Sequence, residues 1–167
     1  MVTKREFEAQ LRYMENPPKM CMADALKAVR PEFEIGIRVA AKEQELTSAE
    51  GMFFAAESFL GDTLNGGLIQ SLCNDTGSMI GLVIDFAKEY CDEQVFITLS
   101  EIRGVFPGEN IPKDRIERNE LIEVMSNDFE IDPFDEITLK LYALEDKYIA
   151  GLLKLALDRS EEFTCLA

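Results

Sequence analysis

Apolar residues recur through this chain three and four positions apart, the spacing of helices that each bury one face. Thr3 and Glu6 stand in capping-box spacing ahead of Phe7, Leu11 and Met14, and Asn16-Pro17-Pro18 stops that helix. A short helical stretch from Met20 to Val29 runs into Pro31, after which Phe33, Ile37, Ala40 and Ala41 keep helical spacing. Thr47 and Glu50 form a second capping-box pair, opening a deeply buried helix through Met52, Phe53, Ala56, Phe59 and Leu60 that Gly61 and Asp62 loosen. Asn65-Gly66-Gly67 is a strong breaker, followed by a brief Leu68 to Cys73 segment and a turn at Asn74-Asp75-Thr76-Gly77.

From Ser78 to Tyr90, Met79, Leu82, Val83, Phe86 and Tyr90 fit a period of about 3.6 residues, so this segment is a helix. Val95-Phe96-Ile97-Thr98-Leu99 would suit a buried strand as well as a helix. No neighbouring segment offers a partner strand, so Glu93 to Phe106 is assigned as helix. Pro107 to Pro112 reads as a loop, Lys113 to Met125 as a charged helix with Ile116, Leu121, Val124 and Met125 inward, and Ser126 to Ile131 as a second loop. Asp132 is placed to cap a helix beginning at Pro133, and the stripe Phe134, Ile137, Leu141, Leu144, Tyr148, Leu152, Leu155 predicts one long C-terminal helix. The expected fold is all-α: a single compact domain of about seven to eight helices over the whole chain, residues 47–167 forming its main part and residues 1–46 a helical extension packed on it.

The chain has 167 residues, long enough to bury a core without metals or disulfides. Charge changes the picture more than length does. With 32 acidic and 17 basic residues the net charge is -15, a field that repels nucleic acid and anionic membrane and favours basic partners. Acidity also serves solubility alone. The stretch from Glu109 onward carries 15 acids against 7 bases, more than half of the total charge. Within it Glu117, Glu120 and Glu123 recur every third residue, and Asp128, Glu130, Asp132, Asp135 and Glu136 cluster at the expected loop and helix start. Carboxylates at helical spacing lie about 5 to 6 Å apart, close to the interval of phosphates along a nucleic-acid strand. They equally describe an ordinary solvated helix face, and acids near a helix start favour its dipole.

Candidate chemistry is sparse. The chain has no histidine, which removes the commonest general base and every Ser-His or Cys-His nucleophile system, so catalysis is not expected. No phosphate-binding glycine loop is present. Cys21, Cys73, Cys91 and Cys165 form no C-x-x-C pair, and reduced thiols are expected. Asp128, Glu130 and Asp132 match the first ligands of a calcium loop, but Pro133 stands at the required glycine and Leu139 at the closing glutamate, so no metal or cofactor is expected. The polar N-terminus and the lack of a long apolar run point to a cytoplasmic protein, neither secreted nor membrane-inserted. Cys165 is one position too late for a prenylation box.

The segment from Asp62 to Gly77, with Asn65, Gly66, Gly67, Gln70, Asn74 and Gly77, resembles the N-G-G-F-x-Q-x-x-x-N-x-x-G signature of a bacterial all-helical family, the DNA-mimic protein nineteen-like proteins. Arg118 suits the family's arginine after a proline-containing loop, Phe134-Asp135 its late Phe-Asp pair, and Tyr142, Tyr148 and Phe163 its closing aromatics, so the resemblance covers roughly Thr47 to Phe163. The chain departs from the pattern at Leu68, at Leu72 and Cys73, and at Thr138, where the family has phenylalanine, aromatics and commonly an acid. The signature residues themselves read first as structural: Asn65 as a cap, the glycines for close approach or positive φ, Gln70 and Asn74 as amides on one helical face. The competing reading makes those amides a polar pocket for a small ligand. The resemblance implies a protein-binding module that occupies the DNA-binding face of a transcription regulator. Glu117, Glu120, Glu123, Asp128, Glu130, Asp132, Asp135 and Glu136 would meet its basic residues. A generic helical interaction module remains the alternative, and homodimerisation is compatible with so many apolar helix faces.

Overall fold

The structure, a computed structural model, describes residues 46–128 and 133–163. The expectations for residues 1–45, including the N-terminal extension, and for Glu130 and Asp132 lie outside it. The described residues hold six α-helices, α1 (Ser48–Cys73), α2 (Ile80–Tyr90), α3 (Glu93–Val105), α4 (Arg115–Asp128), α5 (Pro133–Ala143) and α6 (Glu145–Asp158), joined by short 3-10 turns, and no strand. Seven or eight were expected for the whole chain. Val95 to Leu99 lies within α3, capped by the Asp92 carboxylate, which accepts the Gln94 N–H at 2.9 Å.

Helix α1 is the hub, packing against α2, α4, α5 and α6, while α3 closes the far side on α2 and α5. It starts where the capping box places it: the Thr47 N–H donates to Glu50 Oε2 at 2.9 Å and the Glu50 N–H to Thr47 Oγ1 at 3.2 Å. The Thr47 hydroxyl also lies 2.9 Å from the Glu162 carbonyl, tying the far end of the domain to the start of α1. Gly61 and Asp62 do not interrupt the helix. The break comes at Gly66 and Gly67, where Gly67 takes φ 75° and ψ -179°, a conformation open essentially to glycine alone.

Breaking the helix frees the Leu68 N–H, buried at the kink. The Thr138 hydroxyl of α5 accepts it at 3.0 Å and donates to the Phe134 carbonyl at 2.8 Å. The cap is therefore Thr138, not Asn65, whose side chain is exposed. Across the bend the Thr63 and Ser71 hydroxyls lie 2.6 Å apart, both in reach of the Phe59 carbonyl. Buried backbone polar groups at the kink thus find side-chain partners.

Several sequence expectations are corrected. The C-terminal stripe is not one long helix: α5 ends at Ala143, Leu144 leaves helical geometry (φ -104°, ψ 8°), and α6 begins at Glu145. Without proline or glycine the break leaves the apolar period intact, so periodicity does not register it. The bend lets α5 reach α1 and α3 while α6 packs on α1 and α2. The longest helix is α1, of 26 residues. Helix α4 begins at Arg115, with Asp114 accepting the Ile116 and Glu117 N–H groups, and runs on through Ser126 to Asp128, into the expected loop. It is also rotated from expectation, since Ile116 is 70% and Val124 57% exposed while Arg118 and Ile122 face inward. Leu82, expected inward on α2, is likewise exposed.

The core is aromatic at its joints. Phe86 and Tyr148 sit with ring centroids 5.3 Å apart, Phe106 and Phe134 at 6.0 Å, and Phe53 meets Phe163 edge-on at 5.9 Å. The buried Tyr148 hydroxyl donates to the Ala56 carbonyl at 2.8 Å. No helix among the described residues is long and apolar enough to cross a membrane.

Candidate functional site

The charge on α4 is sorted by the fold. Its two arginines are held against the rest of the protein, and Glu117, Glu120 and Glu123 point out. Arg118 is fully buried, and its guanidinium donates to four backbone carbonyls: Leu72 through Nε, Pro112 and Lys113 through one terminal nitrogen, and Asn74 through the other. Burial draws its pKa below the ordinary arginine value, yet arginine keeps its proton at neutral pH. Arg115 donates to the Cys73 carbonyl at 3.0 Å and pairs with Asp75 at 3.2 Å. Glu117, Glu120 and Glu123 are exposed, and none of them has an ion pair among the described residues. Steps of three residues carry them about 9 Å along the helix and around about 120° of its circumference. Ile116 and Val124 stand exposed on the same helix.

The other acids fall elsewhere. Asp128 is the last residue of α4. Asp135 and Glu136 are exposed in the first turn of α5, which rests on α1 and α3, so they form a separate row. Glu136 is partly neutralised by Lys140 at 2.9 Å, which also reaches Glu101 at 2.9 Å.

The glycine-bearing segment lies beside α4. A Cβ at Gly66 would stand 1.9 Å from Gln70 Oε1, so the glutamine side chain is folded back over the kink. Asn74 ends α1, its N–H bonded to the Gln70 carbonyl at 3.0 Å and its own carbonyl taken by Arg118. A Cβ at Gly77 would collide with the Leu72 carbonyl and the Arg118 guanidinium. Asn74, Gly77 and Arg118 thus build one structural joint between α1 and α4, while Gly66, Gly67 and Gln70 shape the kink that Thr138 of α5 caps. A model of the DMP19-like protein family matches residues 44–159. The chain belongs to the DMP19-like family. No curated protein and no solved structure matches it.

The positions where this DMP19-like chain departs from the expected pattern are fitted by the fold. Leu68 and Leu72 are fully buried, and Thr138 supplies the cap on Leu68 that an acid at the same position could also supply. Beside the joint lies a polar cleft of about 460 Å³, lined by Ser58, Asp62 and Asn65 of α1, Asn74 and Asp75 of the turn, and Arg115 at the start of α4. Two signature amides, Asn65 and Asn74, do face a concavity, but Gln70 is not in its lining, so the pair that does so differs from the Gln70–Asn74 pair expected. Sequence reasoning did not single out Ser58, Asp62 or Arg115. The available signal was the spacing of Ser58, Asp62 and Asn65, a polar stripe along a helix otherwise committed to the core.

Proposed function

We propose that this protein is an acidic protein-binding module that acts without catalysis, occupying the DNA-reading surface of a basic transcription regulator in the cytoplasm. The observation that carries the reading is the sorting of charge on α4: Arg115 and Arg118 are spent on the joint, leaving Glu117, Glu120 and Glu123 exposed and without ion pairs among the described residues. A row of carboxylates on a rigid helix presents fixed negative charge much as a phosphate backbone does, and membership of the DMP19-like family supports that use of it. Asp135 and Glu136 on α5 add a second, separate acidic pair, of which Glu136 is partly neutralised by Lys140.

Binding of this kind is electrostatic competition, so it weakens steeply with salt and yields to duplex DNA. Affinity capture from a lysate at low and high salt, with the bound proteins identified by mass spectrometry, tests it. Capture of a basic DNA-binding protein at low salt only, displaced by duplex DNA and lost in a Glu117→Gln, Glu120→Gln, Glu123→Gln variant, supports the reading. Salt-resistant capture indifferent to that variant would instead assign binding to the exposed Ile116 and Val124 and make this a generic helical interaction module.

A further inference from the structure

The cleft beside the kink contains polar groups that the protein itself does not satisfy. Ser58 Oγ is buried and has no hydrogen-bond partner, neither the carbonyl one turn back nor any side chain. Four residues on, the half-buried Asp62 carboxylate has a single contact, the Thr76 hydroxyl at 2.7 Å, which also lies 2.8 Å from the Ser71 carbonyl. Among the described residues Asp62 has no cationic partner. Arg115, the one cation in the lining, is engaged by Asp75 and the Cys73 carbonyl. Asn65 adds an exposed amide one turn beyond Asp62, and Phe54 supplies an aromatic wall one turn before Ser58.

A partly desolvated carboxylate without a counter-ion calls for a cation. The cleft is far larger than one ammonium group needs, at about 460 Å³. Its acceptors are also spread, with Ser58 Oγ, the free oxygen of Asp62 and the Asn65 amide oxygen along one helical stripe. A planar fork of donors can engage two neighbouring members of such a row at once, and an aromatic wall suits its face. We propose that this cleft is a receptor for a guanidinium group, filled by an arginine side chain of the protein's basic partner. The partner identity rests on the function proposed above; the guanidinium chemistry does not. The position is compatible with the larger surface, because Arg115, which borders the cleft, opens the helix that also carries the exposed acid row.

Titrating Nα-acetyl-L-arginine amide into the full chain, followed by backbone and side-chain amide NMR signals, tests the proposal directly. The expected result is a low-salt shift confined to Gly61, Asp62, the Asn65 and Asn74 side chains and their neighbours, with Nα-acetyl-L-lysine amide binding more weakly. Asp62→Asn keeps an acceptor for Thr76 and should weaken binding about tenfold or more, as expected for loss of a charge-assisted pair. Asn65→Ala, on an exposed side chain, gives a second and smaller loss if Asp62→Asn disturbs folding. Absence of arginine binding, equal binding of lysine, or binding unmoved by either variant would overturn the assignment. The triple α4 glutamine variant separates the two readings: it should abolish capture of the regulator while leaving arginine amide in the cleft.

Discussion

Gly77 packs so closely against Arg118 that a Cβ at position 77 would stand 2.6 Å from Arg118 Nε and 2.3 Å from the Leu72 carbonyl oxygen it bonds. The absence of a side chain at one residue therefore permits a buried cation at another, and the pair fastens α4 to the end of α1. Gly77→Ala should destabilise the fold by about 3 kcal/mol, through overpacking and loss of guanidinium bonds together. Arg118→Met should cost a similar amount, and Arg118→Lys should recover only part, because an ammonium group cannot serve four carbonyls in that plane. Urea unfolding of the three variants checks the order.

The kink makes a second prediction. Gly67→Ala forces a Cβ onto φ 75° with ψ -179° and should cost about 1 to 3 kcal/mol. Gly66→Ala meets the end of the flexible Gln70 side chain, which can turn away, and should cost less. Thr138→Val strips the acceptor from the buried Leu68 N–H and should cost about 1 to 3 kcal/mol, whereas Thr138→Ser retains it. Thermal melting of the four proteins gives the comparison.

Neutralising Glu117, Glu120 and Glu123 to glutamine should leave stability within about 0.5 kcal/mol of the parent, since all three are exposed and support no contact in the core. The same variant should lose salt-sensitive partner capture. A fall in stability large enough to explain lost capture would show that the row is structural instead.

Stability should decline with acid. The Asp92 carboxyl is held below its ordinary 3.8 by the Gln94 N–H, with help from Lys147, and the Glu162 carboxyl below its ordinary 4.5 by Arg159. Both folded values are depressed, so each group's contribution is present above its unfolded value and is lost as pH falls through the folded one. The urea midpoint should therefore hold above about pH 4.5, start to drop as pH falls past those two ordinary values, and keep dropping through the lower folded ones. Asp92→Asn and Glu162→Gln should each flatten that drop.

Much of the helical pattern was legible because caps and breakers are local. Thr47 with Glu50, Asn65-Gly66-Gly67 and the absence of a partner strand for Val95 to Leu99 place α1, its kink and α3 without reference to anything distant. The break at Leu144 was not legible, because it costs the apolar stripe nothing and is decided by which neighbours α5 and α6 must reach. The orientation of α4 was misread for a related reason: inward positions were assigned to Ile116 and Val124 by hydrophobicity, whereas the carbonyls waiting at Leu72 and Asn74 draw Arg118 inward.

For the candidate site the division is similar. Charge is additive along a chain, so the sequence by itself determined that the C-terminal part is acidic, that Glu117, Glu120 and Glu123 share a helix, and that the N-G-G signature breaks one. Only the tertiary structure decided that the bases of α4 are consumed internally while Glu117, Glu120 and Glu123 are not, that Thr138 caps a helix far away in sequence, and that Ser58, Asp62 and Arg115 share a cleft. Those are questions of which groups lose water and which partners replace it, and desolvation is settled only when distant segments meet.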